Sequence, residues 1–157
     1  MGQYWKPVNL DKHEYISPHK LGSGLKLGEQ LGTHVGSALI VLCAAMPECR
    51  GGGDFDLDSN FHGPERTDAH CGSAPVNEDY NEVAKRTIGR WAGDRIALVG
   101  DYAKNSDLKP KDKASEIYRN CSEEGTWTDV TEDVCRVIEH ECQGTFQGEG
   151  WRDFVYS

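Results

Sequence analysis

Between Asp54 and Glu65 the residue types and spacing could wrap a hard cation. Counted from Asp54, carboxylates stand at positions 1, 3 and 5 (Asp54, Asp56, Asp58), Asn60 at 7 and Glu65 at 12. Alternating oxygen ligands closed by a distal Glu are how a calcium loop holds its ion. Three features depart from that pattern. Ser59 stands where the sharp turn wants Gly, glycines 51–53 rather than a helix precede the loop, and Gly63-Pro64 interrupts the approach to Glu65. A solvated acidic loop, or an exposed strand with Phe55 and Leu57 facing inward, is the preferred reading. Ca2+ is the only metal kept in view, and no other cofactor is expected.

Zinc is disfavoured. The set Cys49, His62, His70 and Cys71 contains no CxxC pair, and neighbouring side chains at 70 and 71 do not readily turn to one ion. In the second set, Cys135, His140 and Cys142, the two thiols would stand about 10 Å apart along a helix rising 1.5 Å per residue.

A third constellation lies between Trp91 and Tyr102. In a strand, Arg95, Ala97 and Val99 share one face and Ile96, Leu98 and Gly100 the other. Asp94 and Asp101 then fall some 23 Å apart at 3.3 Å per residue, too far for a catalytic carboxylate pair. Arg95 pairing with an acid, and Asp94 closing a turn, are the structural readings and take most of the weight. The functional alternative is a ligand pocket of Tyr4, Trp5, Trp91, Arg95 and Tyr102, since aromatic walls around one fixed cation suit a small anion or a base. No GxSxG elbow, P-loop, HExxH or post-strand GxGxxG occurs, which removes the commonest enzyme signatures.

The elements that must position these residues are short. Gln3–Leu10 and His13–Ile16 predict a β-hairpin turning at Asp11-Lys12, with Pro7 pointing to an edge or a bulge and Ser17-Pro18 ending the second strand. Leu25, Leu27 and Leu31, with Ser23 as N-cap and Gly32 as stop, suggest a short helix. The apolar run from Ser37 to Ala45 fits a buried strand or a buried helix, with Cys43 as a buried hydrophobe. Asp79–Ile88 predicts a helix with Tyr80, Val83, Ala84 and Ile88 on one side, and Arg95–Val99 is the clearest strand, with Ile96 and Leu98 interior. Trp91 is expected to be buried near the hairpin. A helix follows over 114–121, then Trp127–Val130 as a short strand or a lead-in. A last helix carries Val130, Val134, Val137 and Ile138 as one stripe, capped by Thr131. Trp151, Phe154 and Tyr156 suggest a packed tail. Strands and helices interleaved without regular βαβ spacing indicate α+β: one compact domain over 1–157, with a small mainly antiparallel or mixed sheet, three or four helices and an acidic loop insertion at about 47–79.

Composition agrees with one domain. The chain has 157 residues and a formal charge of −9, with six cysteines. The acidic segments 51–80 and 121–157 flank a stretch, 81–120, that is basic on balance. Net acidity argues against bulk nucleic-acid or anionic-membrane binding. The longest apolar run, Ala38–Met46, is far below the length that spans a bilayer. No signal peptide is read at the N-terminus, so free thiols and a cytoplasmic location are expected.

Met1-Gly2-Gln3-Tyr4-Trp5 with Val8-Asn9-Leu10-Asp11-Lys12, and Trp91-Ala92-Gly93-Asp94-Arg95-Ile96 with Val99-Gly100-Asp101-Tyr102, form two aromatic-rich motifs. They resemble a paired motif of a family of short uncharacterised proteins from bacteria, bacteriophages and fungi. The resemblance implies no activity, cofactor or catalytic residue. The functional expectation is a protein-interaction module with a protein partner, in the manner of a phage-type inhibitor or immunity protein. The alternative is a small enzyme or ligand binder using the aromatic and arginine pocket.

Overall fold

The computed structural model describes residues 2–45 and 78–141. The acidic loop with Asp54, Asp56, Asp58, Asn60 and Glu65, the cysteines at 49, 71 and 142, and the aromatic tail lie outside the described residues.

A four-stranded mixed sheet packs against α-helices, a small α+β domain. The strands are β1 (Trp5–Asn9), β2 (Glu14–Tyr15), β3 (Ile96–Gly100) and β4 (Thr128–Asp129), in spatial order β3-β1-β2-β4. β1 runs antiparallel to both β2 and β3, and β4 lies parallel to β2. The described helices are α1 (Leu27–Gln30), α2 (His34–Cys43), α3 (Glu78–Thr87), α4 (Ala114–Asn120) and α5 (Thr131–Glu141).

The hairpin forms where the residue types predict it, but Pro7 is on neither an edge nor a bulge: β1 is a central strand. Pro7 faces Leu98 in β3, and its carbonyl accepts the Ile16 N–H at 3.0 Å on the other side. The N–H it lacks would point towards Ile16, where the β2 ladder is already ending, so a central proline leaves only one rung open there. Asn9 organises the turn. Its Oδ1 accepts the amides of Asp11 and Lys12 at 2.9 and 2.8 Å, an Asx-type turn, and His13 completes the reversal at φ +56°.

One large cluster fills the face of the sheet that carries Ile16 and Ile96, built with α2, α3 and α5 around Trp91, Leu42, Val83 and Val134. The apolar stripe of α5 and the Tyr80/Val83/Ala84/Ile88 side of the α3 region are buried as their spacing predicts. The run at 37–45 is helical, and its helix turns Val35, Ala38, Val41 and Leu42 inward and Ile40 and Cys43 outward. Cys43 is therefore exposed, contrary to expectation, because the 3.6-residue period leaves it off the buried stripe. The turn after α3 closes the end of α2: Gly89 and Trp91 donate their amides to the carbonyls of Val41 and Leu42 at 2.9 and 2.8 Å. Gly89 is required there, at φ +77° with the Ala44 carbonyl oxygen 2.5 Å from where a Cβ would stand.

The opposite face carries a smaller cluster of Val8, Leu10, Tyr15, Val99, Ile117 and Cys121 under α4.

Other expectations need correction. Leu27 and Leu31 are exposed, and α1 instead buries Gln30, whose Nε2 donates to the Trp5 and Leu25 carbonyls at 2.9 Å each. That helix starts after Lys26, so Ser23 does not cap it. Thr131 is no cap either: its hydroxyl accepts the Ser17 amide at 2.7 Å, and Asp129 Oδ1 accepts the Thr131 amide at 2.9 Å. Among the described residues no helix is long and apolar enough to cross a membrane.

Candidate functional site

The two aromatic-rich motifs bind each other. Asn9 donates through Nδ2 to Asp94 at 2.9 Å, and Lys12 pairs with the same carboxylate. Asp11 accepts both the backbone amide and the Nε of Arg95 at 2.9 Å, and Arg95 also pairs with Asp112 at 3.0 Å. Further along the ladder, the Tyr4 amide donates to Asp101 Oδ1 at 2.9 Å, and the Gln3 side chain covers Gly100, where a Cβ would meet its Nε2 at 2.1 Å. The Lys12 and Asn9 bonds hold the Asp94 carboxyl below the usual carboxylate range. The backbone and then the side-chain bonds from Arg95 do the same for Asp11.

Trp91 is completely buried in the large core and donates its indole N–H to Glu14 Oε1 at 3.0 Å. Glu14 is itself 4% exposed, and Arg90 caps it. A buried carboxylate is stable only when its acceptors are filled, and here an indole and a guanidinium fill them.

Lys6 reaches across the small-core face. Its ammonium donates to the Cys121 carbonyl at the end of α4 and stands 4.6 and 5.4 Å from the ring centres of Tyr118 and Tyr15. Burial lowers its pKa, opposed by Cys121 and Asp129. A cation closing a helix C-terminus between two aromatic rings is a structural clamp.

The five residues expected to share one pocket therefore separate. Trp91 is internal, Arg95 is held between two carboxylates, and Tyr4, 45% exposed, is held by its backbone. Trp5 and Tyr102 do meet. They line a cavity of about 340 Å³ along the outer side of β3, together with Leu98, Leu108 and Asp107. Leu98 is 39% exposed rather than interior. Alternation puts it on the face of Ile96, as expected, but the helical layer packs on Ile96 and not on Leu98. The remaining wall comes from the turn Asn105–Asp107 and the start of α4. Asp107 closes that turn, with Oδ2 accepting the Lys104 amide at 2.8 Å.

Leu108 and Asp107 carry no sequence signal of a site, and Leu98 was expected in the interior rather than in a groove. The groove exists because β1 and β3 pair across the length of the chain, and no local pattern signals that. Among the described residues no group of three or more His, Cys, Asp or Glu side chains is arranged to hold a metal. Comparison with family models, curated proteins and solved structures returned no match.

Proposed function

We propose that the protein acts by binding another protein, and that the groove beside β3 is the surface it uses. The observation that carries this reading is the placement of Leu98 and Tyr102, 39% and 61% exposed, at the mouth of an apolar groove on the free edge of the sheet. Large apolar side chains scattered singly need no explanation, whereas several around one concavity suit a partner's side chain. An edge strand also offers backbone groups to an added segment. The motifs support the same view. Asn9, Asp11, Lys12, Asp94 and Arg95 are used in holding β1 to the start of β3, while Trp5 and Tyr102 face the groove. Membership of the bacterial, phage and fungal family, a phage-type inhibitory role and a cytoplasmic location belong to this proposal.

The test is a photo-cross-linking amino acid placed singly at positions 98, 102 and 116 in the native host. Position 116 is an exposed site on α4 outside the groove. One protein should be captured from 98 and from 102 but not from 116. Capture of the same proteins from all three, or from none, overturns the reading.

A small apolar ligand is the second reading, favoured by a volume at the lower end of the usual range for ligand sites. Native mass spectrometry of protein purified from its host would show the added mass.

A further inference from the structure

We infer that the molecule seated at the groove is a second copy of this chain, whose β3 adds antiparallel to β3 about a two-fold axis at Leu98. This rests on the groove reading and names what fills it.

The ladder to β1 fixes which way β3 presents its backbone. Pro7 turns its carbonyl away from β3, to the Ile16 amide, and Leu98 stands opposite Pro7. In an antiparallel pair, opposed residues alternate between exchanging both main-chain bonds and exchanging none. Pro7 and Leu98 therefore exchange none, and the N–H and C=O of Leu98 point out from the free edge, as do those of Ile96 and Gly100. The flanking bonds keep this alternation: the Leu10 amide donates to Arg95 and the Asp101 amide to Tyr4, each at 2.9 Å. Among the described residues nothing accepts from the outward amides of Ile96, Leu98 and Gly100. Of their carbonyls only that of Gly100 is used, by Ala103 at 3.2 Å. The cavity agrees. Its lining takes Leu98 from one face of β3 and Val99 from the other, so it wraps the unpaired edge of the strand.

Edge strands are ordinarily shielded by charge, proline, a bulge or shortness. β4, at the far side of the sheet, is two residues long, whereas β3 is the uncharged five-residue run Ile-Ala-Leu-Val-Gly. The sequence selects what covers it. Centred on Leu98, the segment 95–101 reads Arg-Ile-Ala-Leu-Val-Gly-Asp, with opposite charges equally far from its centre. A two-fold pairing is isologous, so each residue meets its mirror position in the copy. Arg95 then stands opposite the second copy's Asp101, and exposed Leu98 opposite the second copy's Leu98. The outward Leu98 groups bond each other across the axis, and the Gly100 amides meet the Ile96 carbonyls. Moving the axis to Ala97 or Val99 sets Arg95 opposite Val99 or Ala103 and loses the ion pairs. Both charged groups have capacity left for the contact. Arg95 Nη2 makes one bond, to Asp112 at 3.2 Å, and keeps its second hydrogen, while Asp101 accepts the Tyr4 amide through Oδ1 alone.

The experiment is sedimentation equilibrium of the full chain beside its Leu98→Lys and Ile40→Lys variants, with the fold of each followed by circular dichroism. Wild type and Ile40→Lys, changed at an exposed site on α2, should sediment as a two-chain species. Leu98→Lys sets two ammonium groups opposite each other and should raise the dissociation constant at least about tenfold with an unchanged spectrum. Hydrogen exchange of the 15N-labelled chain adds a readout specific to the edge. The Leu98 and Gly100 amides, unbonded in a single copy, should be protected at high concentration and exchange freely in Leu98→Lys. A photo-cross-linker at position 98 in mixed 14N- and 15N-labelled chains should join the two labels and map to residues 96–100 of the other copy. A single-chain mass for the wild type at every concentration overturns self-pairing. So does a dimer that Leu98→Lys leaves intact, one whose Leu98 amide stays unprotected, or a cross-link that maps elsewhere. Capture of a different protein from 98 and 102 in the native host, without a self-cross-link, removes the second copy and leaves the groove reading standing. Capture of nothing there overturns both.

Discussion

The two faces of the sheet are closed in different ways. The face of Ile16 and Ile96 is roofed by three helices of ten or eleven residues and sealed at its centre by a tryptophan whose one polar atom is satisfied by a buried carboxylate. The face of Val8 and Val99 is roofed by the seven residues of α4 and a turn-rich segment, and its rim runs straight into the groove through Val99 and Leu108. A closed core holds the fold whatever else is present. A core left open on one side keeps apolar surface for a second molecule. The asymmetry separates residues whose loss should unfold the chain from those whose loss should silence it.

The strongest test of that division is Trp91→Ala. It should destabilise by about 3–5 kcal/mol, through a large cavity and an orphaned Glu14 acceptor, read as the shift of a urea midpoint. A midpoint matching wild type would move Trp91 out of the architecture. Ile117→Ala in the small core should cost less, about 2–3 kcal/mol, at the low end for such truncations, because a cluster open on one side can relax into its cavity. If the two costs are equal, the openness of the small core has no mechanical meaning.

Alkali probes both cores at once. Burial pushes the thiols of Cys121 and Cys135 up to about 12, one in each cluster, and the hydroxyl of Tyr15 also to about 12. Their folded pKa values lie above the unfolded ones, so their stabilising effect is full below about pH 8.5. It drains away as the pH climbs towards 12, because the unfolded chain releases these protons first. The midpoint should fall between pH 9 and 10.5, and Cys135→Ala should flatten the fall. Iodoacetamide at pH 8 should label exposed Cys43 well before Cys121 or Cys135. The smallest effect belongs to the groove. Leu98→Lys should change stability by no more than about 0.5 kcal/mol while abolishing cross-linking from position 102. A large loss of stability would show that Leu98 is core after all.

The division also explains what the sequence could reveal. The hairpin, the helices over 78–87, 114–120 and 131–141, and the burial of Trp91 were legible because period and turn chemistry are local. Leu25, Leu27 and Leu31 misled because leucines alone do not say which way a four-residue helix faces, and the buried member proved to be the polar Gln30. Trp5 and Tyr102 could be named as candidates, but not Leu98 or Leu108, since the cavity between them depends on a sheet order that no short window encodes. The Arg95 reading went half-way. A partner acid was expected, yet Asp11 and Asp112 arrive from opposite sides in sequence.

The sheet order sets a schedule for synthesis. β1 is made first and finds β2 at once across a tight turn, but its other edge waits for β3, whose ladder closes between residues 97 positions apart at Tyr4 and Asp101. At about 5–20 residues per second that wait is about 5–20 s. Through it the nascent hairpin carries a bare strand edge, with the charged Lys6 on that strand to discourage a wrong partner.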